Sequence, residues 1–133
     1  MSAEIALAAA IRAAAMADAS VQTIVSDRFY DEPPPGVTFP YITIGRVDSR
    51  PIDSSAREAL EHGLTLHVWS RYGGRAEALE AIAALRGCLH NAALDVAERR
   101  LVLLFAQFAD VFRSGDGITT HGVLRLKAIT EPE

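Results

Sequence analysis

The chain contains few of the residues on which disulfide and metal chemistry depend. Cys88 is the only cysteine in 133 residues, which excludes an internal disulfide and a zinc site built from several thiolates. It falls in a predicted helix beside apolar residues, where a free thiol usually behaves as a small hydrophobic side chain. The four histidines show no His-x-x-x-His or carboxylate-rich ligand spacing, so we expect no metal and no cofactor.

Basic residues are also few. Thirteen Lys and Arg residues stand against seventeen Asp and Glu residues, which gives a formal net charge of −4. A protein that binds duplex DNA draws its affinity from basic side chains that displace counterions from phosphate. The charge balance therefore argues against a dedicated DNA-binding module, although it allows DNA to pass close by.

The sequence also lacks a recognisable export signal or membrane span. Residues 1–19 are rich in alanine, but Glu4 stands where a signal peptide carries basic residues, and Arg12 interrupts the apolar run. We expect a cytosolic product with no membrane segment.

What the chain has is enough apolar sequence for a packed core. Half of its residues are apolar, which suits one domain over residues 1–133. The predicted elements are a helix over 3–17, a short helical continuation over 21–25, strands over 40–45 and 61–71, a helix over 75–90, and strands over 101–113 and 118–130. This order predicts an α+β fold, with a mainly antiparallel four-stranded sheet of two hairpins, an N-terminal helix, and a helix between strands two and three.

The connections between these elements carry clear turn signals. Consecutive prolines at 33–35 exclude regular structure, and the polar segment 46–58 indicates a long loop or a mobile hairpin tip. Gly73-Gly74 provides a tight turn from strand to helix, and residues 114–117 form a strong hairpin turn. The pair His121-Gly122 is a candidate β-bulge.

Two elements carry more apolar surface than one sheet face and one helix layer can bury. The first helix is apolar on almost every side, and the first half of the strand at 101–113 is apolar on both faces. We place Leu101, Leu103 and Phe105 on one face of that strand, and Val102, Leu104, Phe108 and Phe112 on the other. The second face must be covered by the first helix or by another chain.

No pattern in the sequence is typical of an active site. His62 and His67 are an odd number of residues apart on one strand, so their side chains point to opposite faces. Ser70 lacks the Gly-x-Ser-x-Gly frame of a nucleophile elbow, and Gly73-Gly74 lacks the remaining residues of a phosphate-binding loop. The carboxylates of Glu77 and Glu80 fit a solvated helix face better than acid–base catalysis.

A set of mixed charges around the second predicted strand is the candidate interface. Mixed charges suit a polar contact between proteins better than a nucleic-acid groove, although an ordinary solvated loop explains them equally well. The candidate interface residues are Arg46, Asp48, Arg50, Asp53, Arg57, Trp69 and Arg71.

Three segments resemble one family of phage proteins. They are Pro40-Tyr41-Ile42-Thr43-Ile44-Gly45, the run His67-Val68-Trp69-Ser70-Arg71 with Gly73-Gly74 and the helix after it, and Asp116-Gly117-Ile118-Thr119-Thr120-His121-Gly122-Val123-Leu124-Arg125. In order and spacing they are similar to the small head–tail joining proteins, the tail completion or tail terminator proteins of siphophages and of gene transfer agents.

The resemblance implies a structural role without catalysis, and it carries over no catalytic residue. Members of the family assemble into a ring, commonly a hexamer, that caps the tail tube and joins it to the connector below the capsid. The implied partners are copies of the chain itself, the tail-tube protein and a stopper-type connector. The resemblance further implies that DNA crosses the channel of the ring, and that the protein is assembled in the bacterial cytoplasm and resides in the neck of the particle.

Two other functions stay open at this level. A small α+β enzyme would use His67 or His121 as a base, and it would need a concave pocket with a carboxylate at hydrogen-bond distance from the histidine. A single-strand nucleic-acid binder would stack bases on Trp69 and Tyr72, although the acidic charge balance argues against it.

Overall fold

A computed structural model describes residues 1–52 and 58–133 as three helices and a five-stranded mixed sheet. The elements are α1 (Ala3–Ala17), α2 (Ala19–Val25), β1 (Phe29–Tyr30), β2 (Tyr41–Ile52), β3 (Ala59–Ser70), α3 (Ala76–Leu89), β4 (Arg99–Arg113) and β5 (Thr120–Pro132). The strand order is β1-β2-β3-β5-β4, with β1 parallel to β2 and every other pair antiparallel.

The α+β class is confirmed, but the prediction of four strands is wrong in detail because β1 adds a fifth. This strand has two residues, which is too short to leave a periodic pattern in the sequence. It is held by burial of Phe29 and by a backbone bond in which Ile42 N donates to Arg28 O at 2.9 Å. The predicted continuation of the first helix is a separate helix, α2, because Asp18 ends α1 and caps α2.

The helix boundaries follow local capping. The Oγ atom of Ser2 accepts a hydrogen bond from Ile5 N at 3.0 Å and begins α1. Helix α3 ends at Leu89 with His90 as its C-cap, and Asn91 takes the left-handed conformation with φ +60° that often follows a helix. No helix within the described residues is long and apolar enough to span a membrane.

Strand β2 is longer than the sequence suggested. The polar residues 46–52 continue the strand instead of forming a loop, because they pair with 59–64 of β3 after a bulge between Ile44 and Val47. The tip of this hairpin, residues 53–57, lies outside the described residues.

The core lies between one face of the sheet and the three helices. Apolar side chains of β3 and β5 alternate inward and meet the buried stripe of α3, while α1 packs near β2 and against α3. Gly122 is paired regularly with Val68 and Val111, so the predicted bulge there is wrong. A Cβ on Gly122 would lie 3.3 Å from Ile82, so this glycine lets α3 approach the sheet closely.

Two predictions about α3 are corrected by its packing. Helical spacing in the predicted helix 75–90 places Leu79 with the apolar stripe, but Leu79 is 52% exposed, because the inward positions belong to Ala78, Ala81 and Ile82. Glu77, predicted for a solvated face, accepts a hydrogen bond from the buried Ser70 hydroxyl at 2.7 Å. That bond ties the end of β3 to the first turn of α3 across the glycine turn.

Candidate functional site

One face of the sheet has no helix packed on it. The alternation along β3 puts Leu64, Leu66 and Val68 in the core and Thr65, His67 and Trp69 on the opposite face. The buried core joins side chains of α1, α2 and α3 to the inward residues of the strands, so α1 packs on the core side of the sheet. At the edge, His90, the C-cap of α3, contacts Phe105 with ring centroids 5.6 Å apart. We call this uncovered side the open face.

Aromatic and histidine rings form a row across one end of the open face. Tyr41, Trp69, His121 and Phe112 come from β2, β3, β5 and β4, and they lie at one level because these residues are paired in register. Trp69 stacks on His121 with ring centroids 4.0 Å apart, and Phe112 meets His121 at 4.9 Å. The Trp69 Nε1 donates to Thr43 Oγ1 at 3.0 Å, which fixes the indole ring.

Large apolar side chains of β4 continue this row along the sheet edge. Phe105, Phe108 and Phe112 are 40%, 47% and 39% exposed. Each is paired opposite an open-face residue of β5, namely Lys127, Arg125 and His121. The predicted faces of β4 are wrong here, because irregularities between Leu101 and Leu103 and between Ala106 and Phe108 change the alternation. They turn Leu101 and Leu104 inward and all three phenylalanines outward.

His67 and His121 are joined on the open face. The Nδ1 atom of His67 lies 2.7 Å from Nε2 of His121, so one ring donates a hydrogen bond to the other. Burial lowers the pKa of both histidines, and the neighbouring His67 lowers that of His121 further. At neutral pH the pair is therefore an uncharged hydrogen-bonded unit within the aromatic row.

His62 lies on the core side, opposite in direction to His67 as the odd spacing predicted. Its ring contacts Ser49 Oγ at 2.6 Å through Nδ1 and Thr130 Oγ1 at 2.8 Å through Nε2. Burial lowers the pKa of His62, and the carboxylate of Glu4, 3.9 Å away, acts in the opposite direction. The ring joins β2 and β5 across β3, which is a structural role.

The geometry that an enzyme would need is not found in the described part of the chain. His67 and His121 bond each other, and the Nδ1 atom of His90 accepts a hydrogen bond from Ala106 N at 3.0 Å. No histidine has a carboxylate at hydrogen-bond distance there, and no three His, Cys, Asp or Glu side chains are placed to share a metal ion. Trp69 is stacked on a neighbouring ring, and Tyr72 lies outside the row, so no observation favours base stacking on these two residues.

The residues of the predicted interface divide into two groups at opposite ends of the β2–β3 hairpin. Arg46, Asp48 and Arg50 lie on the distal half of β2, where Arg50 Nε donates to Glu61 Oε2 at 2.9 Å. Arg46 and Asp48 line a shallow open-face depression together with Thr65 and Arg125. Asp53 and Arg57 lie outside the described residues.

The second group is part of the aromatic end of the sheet. The Arg71 guanidinium lies over the Phe39 ring, 4.3 Å from its centroid, and Nε donates to Thr119 Oγ1 at 3.1 Å. Trp69 belongs to the row. The structure does not bring the two groups together, because the eight residue steps from Glu61 to Trp69 extend about 26 Å along a strand.

Sequence reasoning missed the row itself and the phenylalanines of β4. The number of aromatic residues in the predicted strands was a signal for such a row. Whether these side chains come together depends on the register of four strands, which the sequence does not show.

Comparison with known proteins gives one family. The family model for tail completion protein gp17 matches residues 9–131. A chain from the solved virion of a native gene transfer agent (GTA) particle is 28% identical, with a TM-score of 0.87 and 94% of each chain covered. The bacteriophage SPP1 gp17 protein shares the fold at 22% identity and a TM-score of 0.62, over 95% of this chain and 89% of that one. No curated protein matches the sequence significantly.

Proposed function

The chain belongs to the family of tail completion protein gp17, a family of structural phage tail proteins, and from that membership we propose that it is the subunit of a ring at the head–tail junction. The ring, commonly a hexamer in the family, terminates the tail tube in the neck of a phage or gene transfer agent particle. Its partners are the tail-tube protein on one side and a stopper-type connector on the other. Residues 1–133 act as one head–tail joining domain without catalytic activity.

The observation that carries this proposal is the open face with its exposed phenylalanines. Monomeric proteins rarely leave a contiguous row of large apolar and aromatic side chains in water, and such patches mark contacts with other molecules. Phe105, Phe108 and Phe112 lie on one edge of the open face, and Phe112 contacts His121, which stacks on Trp69. Burial against further copies of the chain would remove these side chains from water.

The net charge of −4 supports the passage of DNA. A channel lined by basic side chains would retain the phosphate backbone, whereas an acidic subunit binds it weakly. We propose that the candidate interface residues contact the tube or the connector, because charge complementarity selects partners. These residues are Arg46, Asp48, Arg50, Asp53, Arg57, Trp69 and Arg71.

The test compares one open-face residue with a matched apolar residue on the helix side. Size exclusion with light scattering over a concentration series, with negative-stain images of the same samples, should give rings of the unmodified chain. Phe108→Ser should weaken association about tenfold, as expected for a central apolar contact of about 1.4 kcal/mol. Leu79→Ser is the control, because Leu79 is 52% exposed on α3 and Phe108 is 47% exposed on β4.

The proposal fails if the chain stays monomeric at every concentration and also when mixed with purified tail tubes. It also fails if Leu79→Ser weakens association as much as Phe108→Ser, because the open face would then have no special part in assembly.

A further inference from the structure

A proline-rich loop leaves the sheet at the edge formed by β1. Tyr30 ends β1, and Asp31-Glu32-Pro33-Pro34-Pro35-Gly36 follows at once, outside any helix or strand and mostly exposed. Consecutive prolines favour the extended polyproline conformation, which is ordered before any partner is bound. Such a segment loses little conformational entropy on docking, and grooves lined by aromatic side chains are its usual receptors.

The exposed phenylalanines lie at the opposite edge of the same sheet, at the same level. The pairing runs from Tyr30 through Thr43, His67 and Val123 to Asp110, and Asp110 stands between Phe108 and Phe112 on β4. Four strand spacings of about 4.8 Å separate the two edges by about 19 Å within one chain. A second copy placed beside the first, in the same orientation, would bring the loop of one next to the phenylalanines of the other.

The loop begins with two acidic residues, and the opposite edge carries both a cation, Arg125, and a carboxylate, Asp110. Asp31 and Glu32 begin the loop, and neither forms an ion pair within the described residues. On the other edge, the guanidinium of Arg125 lies over the Phe108 ring at 5.1 Å and has no carboxylate partner in the same part of the chain. Asp110, between the two phenylalanines, would repel the acidic start of the loop, whereas Arg125 beside Phe108 would attract it, so the acidic residues should lie on the Arg125 side.

We propose that the loop Asp31–Gly36 of one copy docks on Phe108 and Phe112 of the next copy, with its acidic residues beside Arg125. The contact is head-to-tail, because it joins two different edges of the sheet, and repeated contacts of this kind form a ring when the rotation between neighbours closes. This inference rests on the proposed ring, and it names the contact that joins neighbouring subunits.

Disulfide trapping tests the proximity. In a Cys88→Ser background, Pro34→Cys together with Phe112→Cys should give a ladder of covalent dimers, trimers and larger species under mild oxidation. The control pair is Pro34→Cys with Leu79→Cys, because Leu79 is exposed on α3, on the helix side of the sheet. The control should give no ladder beyond symmetric dimers.

Charge exchange tests the orientation by a second route. Glu32→Arg and Arg125→Glu should each weaken association about threefold, as expected for an exposed ion pair of about 0.7 kcal/mol. The chain that carries both changes should regain most of the lost affinity, and each variant's unfolding curve checks that its fold is intact.

The outcomes separate this contact from the ring itself. Rings that form normally, but give no ladder with the Pro34 and Phe112 pair and no recovery on charge exchange, overturn the docking and leave the proposed function standing. A chain that forms no assembly, alone or on tail tubes, overturns both.

Discussion

Gly45→Ala is the substitution with the most specific expected effect on the open face. Gly45 lies in the bulge of β2, and the imidazole of His67 packs directly over it. A Cβ at this position would overlap the Nε2 atom of His67 and lie 2.6 Å from its Cδ2 atom, which is far inside normal contact. The alanine therefore displaces the His67 ring.

The expected cost follows from what the displaced ring loses. Moving His67 breaks its hydrogen bond to His121, which contributes about 1 kcal/mol to stability. The displacement also forces the side chain out of a staggered rotamer, which costs about 1 kcal/mol more. The free energy of unfolding should fall by about 2 kcal/mol in urea titrations. In a His67→Ala background, Gly45→Ala should cost less than about 0.5 kcal/mol, because nothing remains for the Cβ to displace.

Gly87→Ala is the matched control. Gly87 lies within α3 with no neighbouring atom within 4 Å of an added Cβ, so alanine should stabilise the helix by about 0.5–1 kcal/mol. Two results would contradict this reasoning: Gly45→Ala leaves the free energy of unfolding unchanged, or lowers it equally with and without His67. In either case, the packing of His67 would not be the reason for a glycine at position 45.

Two further predictions concern titration and reactivity. Burial holds the pKa of three histidines below the usual value, so the unfolded chain binds more protons, and the free energy of unfolding should fall as pH drops from about 7 to about 5. The three histidines are His62, His67 and His121. Denaturant titrations between about pH 5 and about pH 7 measure how the free energy of unfolding depends on pH, and a free energy that does not change over this range would contradict the prediction. Burial raises the pKa of Cys88 to about 11, so the folded protein should react with a disulfide reagent at pH 8 much more slowly than the unfolded chain, and equal rates would contradict the burial.

The elements that the sequence predicted well are those whose patterns depend on local physics. Helix α1 covers residues 3–17 as predicted, because the Ser2 cap and the alanine run act within the segment itself. The hairpin turn at 114–117 forms as predicted, with Gly117 at φ +77° and Asp116 accepting hydrogen bonds from Ile118 N and Thr119 N.

The features that sequence reasoning missed depend on partners distant in the chain. Residues 46–52 are polar enough for a loop, and only pairing with β3 makes them a strand. The bulges of β4 reverse the faces of its phenylalanines, and alternation alone cannot reveal an inserted residue. The mixed charges predicted for one interface lie at two ends of a hairpin, because their separation is set by strand length and register.

The placement of all three helices on one side of the sheet has a consequence for which residues can be substituted during evolution. The interior is complete without the exposed phenylalanines of β4, so substitution of those three side chains should change the contacts of the subunit more than its own stability. Related particles could therefore exchange neck components by varying a few solvent-facing strand positions. The interior of the subunit would remain the same.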